Sequence, residues 1–156
     1  MALDKQALQS LIYDFFFAFS RMEFALKQNG CLLDHTLGEK ARPGWNDFVR
    51  KYQDRYQQTD EGRALVEARP KCQYVGQNDA MVWGDLMPRP RQSELRKSVD
   101  ALNVVRNNLF HGGKHGEKAW DDPERTSLLL TLGLAVLKQL AELDESIRAD
   151  FQNEYC

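Results

Sequence analysis

The chain lacks the features that would place it quickly. It has three cysteines in 156 residues, Cys31, Cys72 and Cys156. An odd number at such wide spacing excludes a simple disulfide framework and any CxxC zinc pattern, and is expected of reduced thiols in a cytoplasmic protein. It also lacks an excess of one charge. A formal net charge of -2 argues against a general nucleic-acid coat or a polybasic membrane binder, while leaving room for a small local basic site. No internal repeat and no low-complexity tract is present. Long apolar runs are missing too. "SLLLTLGLAVLKQLAEL" is interrupted by Lys138 well before the ~20 apolar residues of a membrane helix. The N-terminal run is broken by Asp14, Ser20 and Arg21 and begins with Asp4 beside Lys5, unlike a secretory signal. What is present is ordinary for a folded domain: 42% hydrophobic and 28% charged residues, enough for a single domain over residues 1–156 with its own core. The expectation is a soluble protein with no membrane partner.

The apolar spacing is helical. Leu8, Leu11, Ile12, Phe15, Phe16, Phe19, Met22 and Leu26 form a stripe that predicts a first helix from about Leu3 to Asn29, stopped by Gly30. Phe17 and Phe24 fall off that stripe, so this helix is expected to pack on more than one side. "ARPGWNDFVRKYQDRYQQ" predicts a second helix from near Pro43, with Trp45, Phe48, Val49, Tyr52 and Tyr56 on its apolar side. The aromatics of these two helices are expected in the core. Thr59 with Asp60 and Glu61 can start a short helix that Pro70 ends. The stretch from Lys71 to Gln92 has no sustained period and is expected to be a long structured loop, with one extended piece at Gln73–Val75 and Trp83 within it. Ser93 is a fair cap for a helix to about Phe110. After a Gly- and Lys-rich loop that holds Trp120, Asp122 and Pro123 mark a last helix running toward Phe151. The expected fold is therefore all-α, a bundle of four main helices with a long loop before the third. The last helix is apolar almost all round from Leu128 to Leu143; it is either the central core helix or also a face for a partner subunit.

One stretch carries chemistry. In "VRNNLFHGGKH", Arg106 and His111 are five residues apart, which in a continuous helix sets them about 140° apart. They converge only if the helix ends between them, and Gly112 and Gly113 permit such an ending. Two readings stand. Cations at a helix C-terminus bond free carbonyls and favour the dipole, by about 0.3–1 kcal/mol each. Alternatively, the pair suits RNA cleavage without a metal or cofactor. Attack of a 2′-hydroxyl on the neighbouring phosphate needs a base and an acid, roles that histidine can fill. A guanidinium can bond two oxygens of the charged phosphorus centre at once. Asn107 or Asn108 could orient the substrate or the imidazole. A single histidine cannot stand on both sides of one phosphate, so a two-fold dimer with the motif at its axis would supply the second.

"RNNLFH" resembles the Arg–polar–His arrangement (R-x4-6-H) of the HEPN superfamily, and the following "GGK" is similar to small stand-alone bacterial members of the Apea-like and plasmid-borne kind. The helical layout is similar in outline; about ten residues match specifically. The resemblance implies an all-α bundle that dimerises, with Arg106 and His111 as a composite, metal-independent ribonuclease site, Asn107 as the polar neighbour, and a role in bacterial defence, toxin–antitoxin systems or stress. "FSRMEFALK" is similar to the first helix of such proteins, where Glu23 could approach and fix Arg106. The chain departs from the family at Gly113, where toxins controlled by nucleotidyl-transferase antitoxins carry Tyr; regulation through that Tyr is not implied, although an antitoxin or other regulator protein remains a possible partner. Many members have lost catalysis, so the alternative is a silent module that binds RNA, nucleotide or protein.

Other candidates are subsidiary. Lys114, His115 and Lys118 either hold RNA phosphates beside the cut or form a solvated loop. His111 and His115 have the i, i+4 spacing of a metal pair, but the intervening glycines and the absence of an evident third ligand leave the expected metal set at none. Arg89, Arg91, Arg96 and Lys97 form a second basic cluster that either extends an RNA path or is a solvated surface.

Overall fold

The computed structural model describes residues 4–87, 89–111 and 122–152. Among them the chain forms six α-helices and one antiparallel hairpin: α1 (Lys5–Gln28), α2 (Trp45–Tyr52), α3 (Asp60–Glu67), β1 (Lys71–Val75), β2 (Met81–Asp85), α4 (Glu94–Phe110), α5 (Pro123–Ala141) and α6 (Glu145–Gln152). None of these helices is long and apolar enough to cross a membrane.

Short polar side chains set the helix starts. Thr59 Oγ1 accepts the Gly62 N–H at 3.0 Å, Ser93 Oγ accepts the Arg96 N–H at 3.1 Å, and Asp122 Oδ1 accepts the Arg125 N–H at 2.8 Å with Pro123 next in line. The first helix ends as its sequence requires, with Asn29 as C-cap and Gly30 at φ +72°. The second is shorter than its apolar pattern suggests and stops at Tyr52, because the following residues turn before α3.

The core is one cluster built from α1, α2, α3, α4, α5 and α6, with Phe15, Met22, Leu26, Phe48, Tyr52, Leu65, Leu95, Leu102, Leu130, Leu137, Leu140 and Ile147 almost wholly buried. Helix α5 packs against α1, α3, α4 and α6, which accounts for its apolar circumference within one chain; Leu128 nevertheless stays exposed. Its close approach to α1 depends on Gly133. A Cβ there would lie 2.7 Å from the Phe15 ring, itself only 1% exposed.

Three expectations are corrected. The fold is not purely all-α: the extended piece expected at Gln73–Val75 lies within β1, but its pairing with a second strand, β2, in a hairpin was not expected, with Lys71 opposite Asp85 and Val75 opposite Met81. Both strands are largely exposed, and β2, Met81–Asp85, has no polar–apolar alternation to mark it. Asn78 and Asp79, both at positive φ, make the turn, as short polar side chains allow. The last helix is also not continuous: it divides into α5 and α6, so the described residues hold six helices where four main ones and one short one were expected. Asp144 accepts the N–H groups of Ser146 at 2.8 Å and Ile147 at 3.3 Å, capping α6 and ending the helical path from α5. Finally, the first helix does not bury all its aromatics: Tyr13, Phe16 and Phe17 are exposed on one face.

Two substitutions check this packing. Gly133→Ala should destabilise by about 1–3 kcal/mol in denaturant titration, because overpacking against Phe15 outweighs the helix propensity gained, at most about 1 kcal/mol. Asp144→Ala should cost about 1–2 kcal/mol, since it removes the α6 cap and the acceptor of the Tyr52 hydroxyl at 3.1 Å. Neutral outcomes would refute these two roles.

Candidate functional site

Arg106 lies in the last turns of α4, with Glu23 and Phe19 of α1 beside it. Its guanidinium is held from several sides. Glu23 Oε1 of α1 lies 3.9 Å from Nη2, and Nη1 donates to Asn107 Oδ1 at 3.0 Å. The cation sits 4.8 Å from the Phe110 ring centre and 5.7 Å from that of Phe19. Glu23 in turn accepts a hydrogen bond from Trp45 Nε1 at 3.3 Å, so one carboxylate ties together α1, α2 and α4.

His111 is the C-cap of α4, exposed, its N–H bonded to the Asn107 carbonyl at 2.9 Å. The helix therefore persists through Phe110 and does not end earlier, between Arg106 and His111. The two side chains are related through an aromatic ring instead: Phe110 takes the guanidinium on its face and the His111 ring edge-on at 5.9 Å between centres. No hydrogen bond joins Arg106 to His111 among the described residues. A notch of about 130 Å³ lies beside Arg106, lined by Phe15, Phe16, Ser20, Glu23, Arg106 and Phe110 among others; His111 is the next residue after its Phe110 wall and does not line it. The notch is well below the ~300–1,000 Å³ of pockets that engulf small molecules. The place suits a group presented from an open surface, such as a phosphate on a strand.

The remaining candidates divide. Asn107 faces Arg106. Asn108 does not: its Nδ2 donates to the Lys71 carbonyl at 2.7 Å, anchoring the hairpin to α4. Lys114, His115 and Lys118, together with Gly112 and Gly113, lie outside the described residues, as does Trp120. Among the described residues no group of three or more His, Cys, Asp or Glu is placed to hold a metal. Cys31 and Cys72 are free thiols.

Two members of the site were not singled out from sequence. Phe110 had a visible signal, its place directly before His111 in "RNNLFH". Trp45 was legible only as an apolar-face residue of α2; its indole N–H gives it the second role. Phe16 stacks on Phe110 with centres 5.8 Å apart, extending an exposed aromatic surface from the notch along α1.

Burial pushes the Glu23 carboxyl above its ordinary 4.5, against the opposing pull of the Trp45 hydrogen bond and the charges of Arg106 and Lys27. The folded chain therefore holds this proton more tightly than the unfolded chain. The resulting stability is fully present below the ordinary value and is lost as pH rises through the raised one. Keeping Glu23 ionised beside Arg106 at neutral pH thus costs stability.

No protein-family model, curated protein or solved structure matches the chain.

Glu23→Gln should consequently show a melting temperature that gains on the wild type between about pH 4 and about pH 7. Thermal melts across that range check it. A variant that instead falls further behind as pH rises would mean that the ion pair with Arg106, rather than burial, governs Glu23.

Proposed function

We propose that the chain is a metal-independent endoribonuclease of the HEPN type, with Arg106 and His111 acting at a composite site formed by two copies of the chain. The observation that supports this reading is that Arg106 lies over the Phe110 ring, with its guanidinium held by Glu23 and Asn107, while the next residue, His111, is exposed at the helix end. The site rests on rigid helices, while its open side is free to meet a strand.

The roles follow from the chemistry. An imidazole takes the proton of the 2′-hydroxyl as its oxygen bonds to phosphorus, the 5′-oxygen leaves with a proton supplied by an acid, and a 2′,3′-cyclic phosphate remains. Arg106 stabilises the charge gathered on the phosphoryl oxygens. The second proton-transfer group is His111 of a second copy. The exposed rings of Tyr13, Phe16, Phe17 and Phe110 beside the notch support an apolar contact between copies near the motif, with the exposed Leu128 of α5 as a further apolar element. The bacterial defence, toxin or stress setting, with RNA as substrate and an antitoxin or other regulator as a possible partner, rests on the resemblance of "RNNLFH" to the HEPN motif.

A second reading has its own support. Arg106 already has a carboxylate, an amide and two rings as neighbours, which is also how a structural arginine is kept. On that reading the chain is a catalytically silent HEPN module for RNA, nucleotide or protein binding.

Cleavage of RNA by the purified protein in EDTA separates the two. His111→Ala should lose about 10²-fold or more of the rate while melting like the wild type, because the imidazole is exposed. Arg106→Lys should also fail, since an ammonium cannot make the two-point contact. Equal rates in the wild type and His111→Ala would contradict the ribonuclease reading, and no cleavage of any RNA would favour the silent module.

A further inference from the structure

A second place on the same helix has the chemistry of an anion site. At the N-terminal end of α4, a cleft of about 360 Å³ is walled by Arg50 of α2, by Arg89 and Arg91 of the segment leading into α4, and by Arg96 of its first turn. Asn46 and Gln53 of α2 add polar groups, and no carboxylate lines it. Four arginines from three parts of the fold around one concavity stand out in a chain whose net charge is -2.

Their charges are unequally committed. Arg50 is paired with Asp47 and Arg96 lies 3.6 Å from Asp100, so the charge of each is partly committed, with Arg96 the less exposed of the two. Arg89 and Arg91 are exposed and have no ion pair among the described residues. Nearby Glu94 is countered by Lys97 at 3.1 Å. The positive end of the 17-residue helix adds to the same field. Two partly committed guanidiniums and two uncommitted ones fit repeated anionic oxygens better than one small carboxylate.

We infer that this cleft binds the phosphodiester backbone of single-stranded RNA, as an anchoring site separate from the Arg106 notch and the neighbouring His111. The choice of RNA among polyanions rests on the proposed function. The two places lie on one rigid element: Arg96 and Arg106 are ten residues apart, about 15 Å along the helix. They are also linked across α2, where Trp45 holds Glu23 and the next residue, Asn46, lines the cleft. A strand of several nucleotides reaches from one to the other, so the cleft arginines position the strand, and Arg106 and His111 cut it. Phosphate contacts of this kind set register without reading sequence.

The test is fluorescence anisotropy of a labelled single-stranded RNA against full-length protein over a salt series, in the His111→Ala background so that the probe survives. Arg89→Gln/Arg91→Gln should weaken binding about tenfold and make the slope of log K against log salt shallower by about 1.4, two phosphates at about 0.7 each. Melting curves should not move, because both side chains are exposed. Unchanged affinity and slope, with the parent binding RNA, would overturn the cleft while leaving the ribonuclease reading intact. A parent that does not bind RNA overturns the inference; if the wild type also fails to cleave, the ribonuclease reading falls with it. Retention on anionic lipid vesicles but not on RNA would assign the arginines to a membrane surface and equally overturn it.

Discussion

The seating of Phe15 against Gly133 is the contact on which the rest depends. The absent side chain at Gly133 lets α5 come close to α1, and the Phe15 ring fills the space between them. The same ring forms part of the wall of the Arg106 notch. Core packing and site geometry therefore share one residue. From Phe15 the aromatic contacts run through Phe19 to Trp45, whose N–H holds Glu23, whose carboxylate faces Arg106. Interiors packed at this density transmit small displacements, so the position of the guanidinium is set largely by how α1 seats on its neighbours.

The Glu23–Arg106 arrangement is costly to keep. A carboxylate half withdrawn from water prefers its proton, yet here it meets an indole donor and a guanidinium. A hydrophobic replacement of the same shape could serve packing alone as well or better. On the proposed ribonuclease reading, an oriented cation near a helix end serves phosphate chemistry, and a modest stability cost there is the usual exchange between activity and robustness. The exposed rings of α1 fit the same view, since apolar surface left open next to polar machinery commonly marks a surface that something covers.

Much of the scaffold was legible because helix ends have local chemistry. Thr59, Ser93 and Asp122 are caps whose side-chain oxygens satisfy their own helix, and Gly30 supplies the positive φ that ends α1. Nothing in those decisions depends on distant residues. Only the β1 side of the hairpin was legible, because both strands are largely exposed; they are held to each other by the cross-strand pair of Lys71 and Asp85 and to α4 by Asn108. The break after α5 was visible only as Asp144 followed by Glu145, a weak cap signal inside a strongly apolar run. For the site, the spacing of Arg106 and His111 showed which residues to examine but not how they meet. That relation lies in Phe110, and in the approach of Glu23 and Trp45 from elements distant in sequence. Arg50, from α2, was likewise invisible as a partner of the Arg89–Arg96 segment until the fold placed them around one cleft.

In the proposed mechanism Arg106 and His111 act on the ribose hydroxyl of the substrate. The most direct measurement is single-turnover cleavage of an RNA oligonucleotide beside the same oligonucleotide with one 2′-deoxy sugar at the cut position. The deoxy position should resist cleavage while the parent yields a 2′,3′-cyclic phosphate. Equal cleavage at the deoxy position would contradict that mechanism, since no internal nucleophile would then be required.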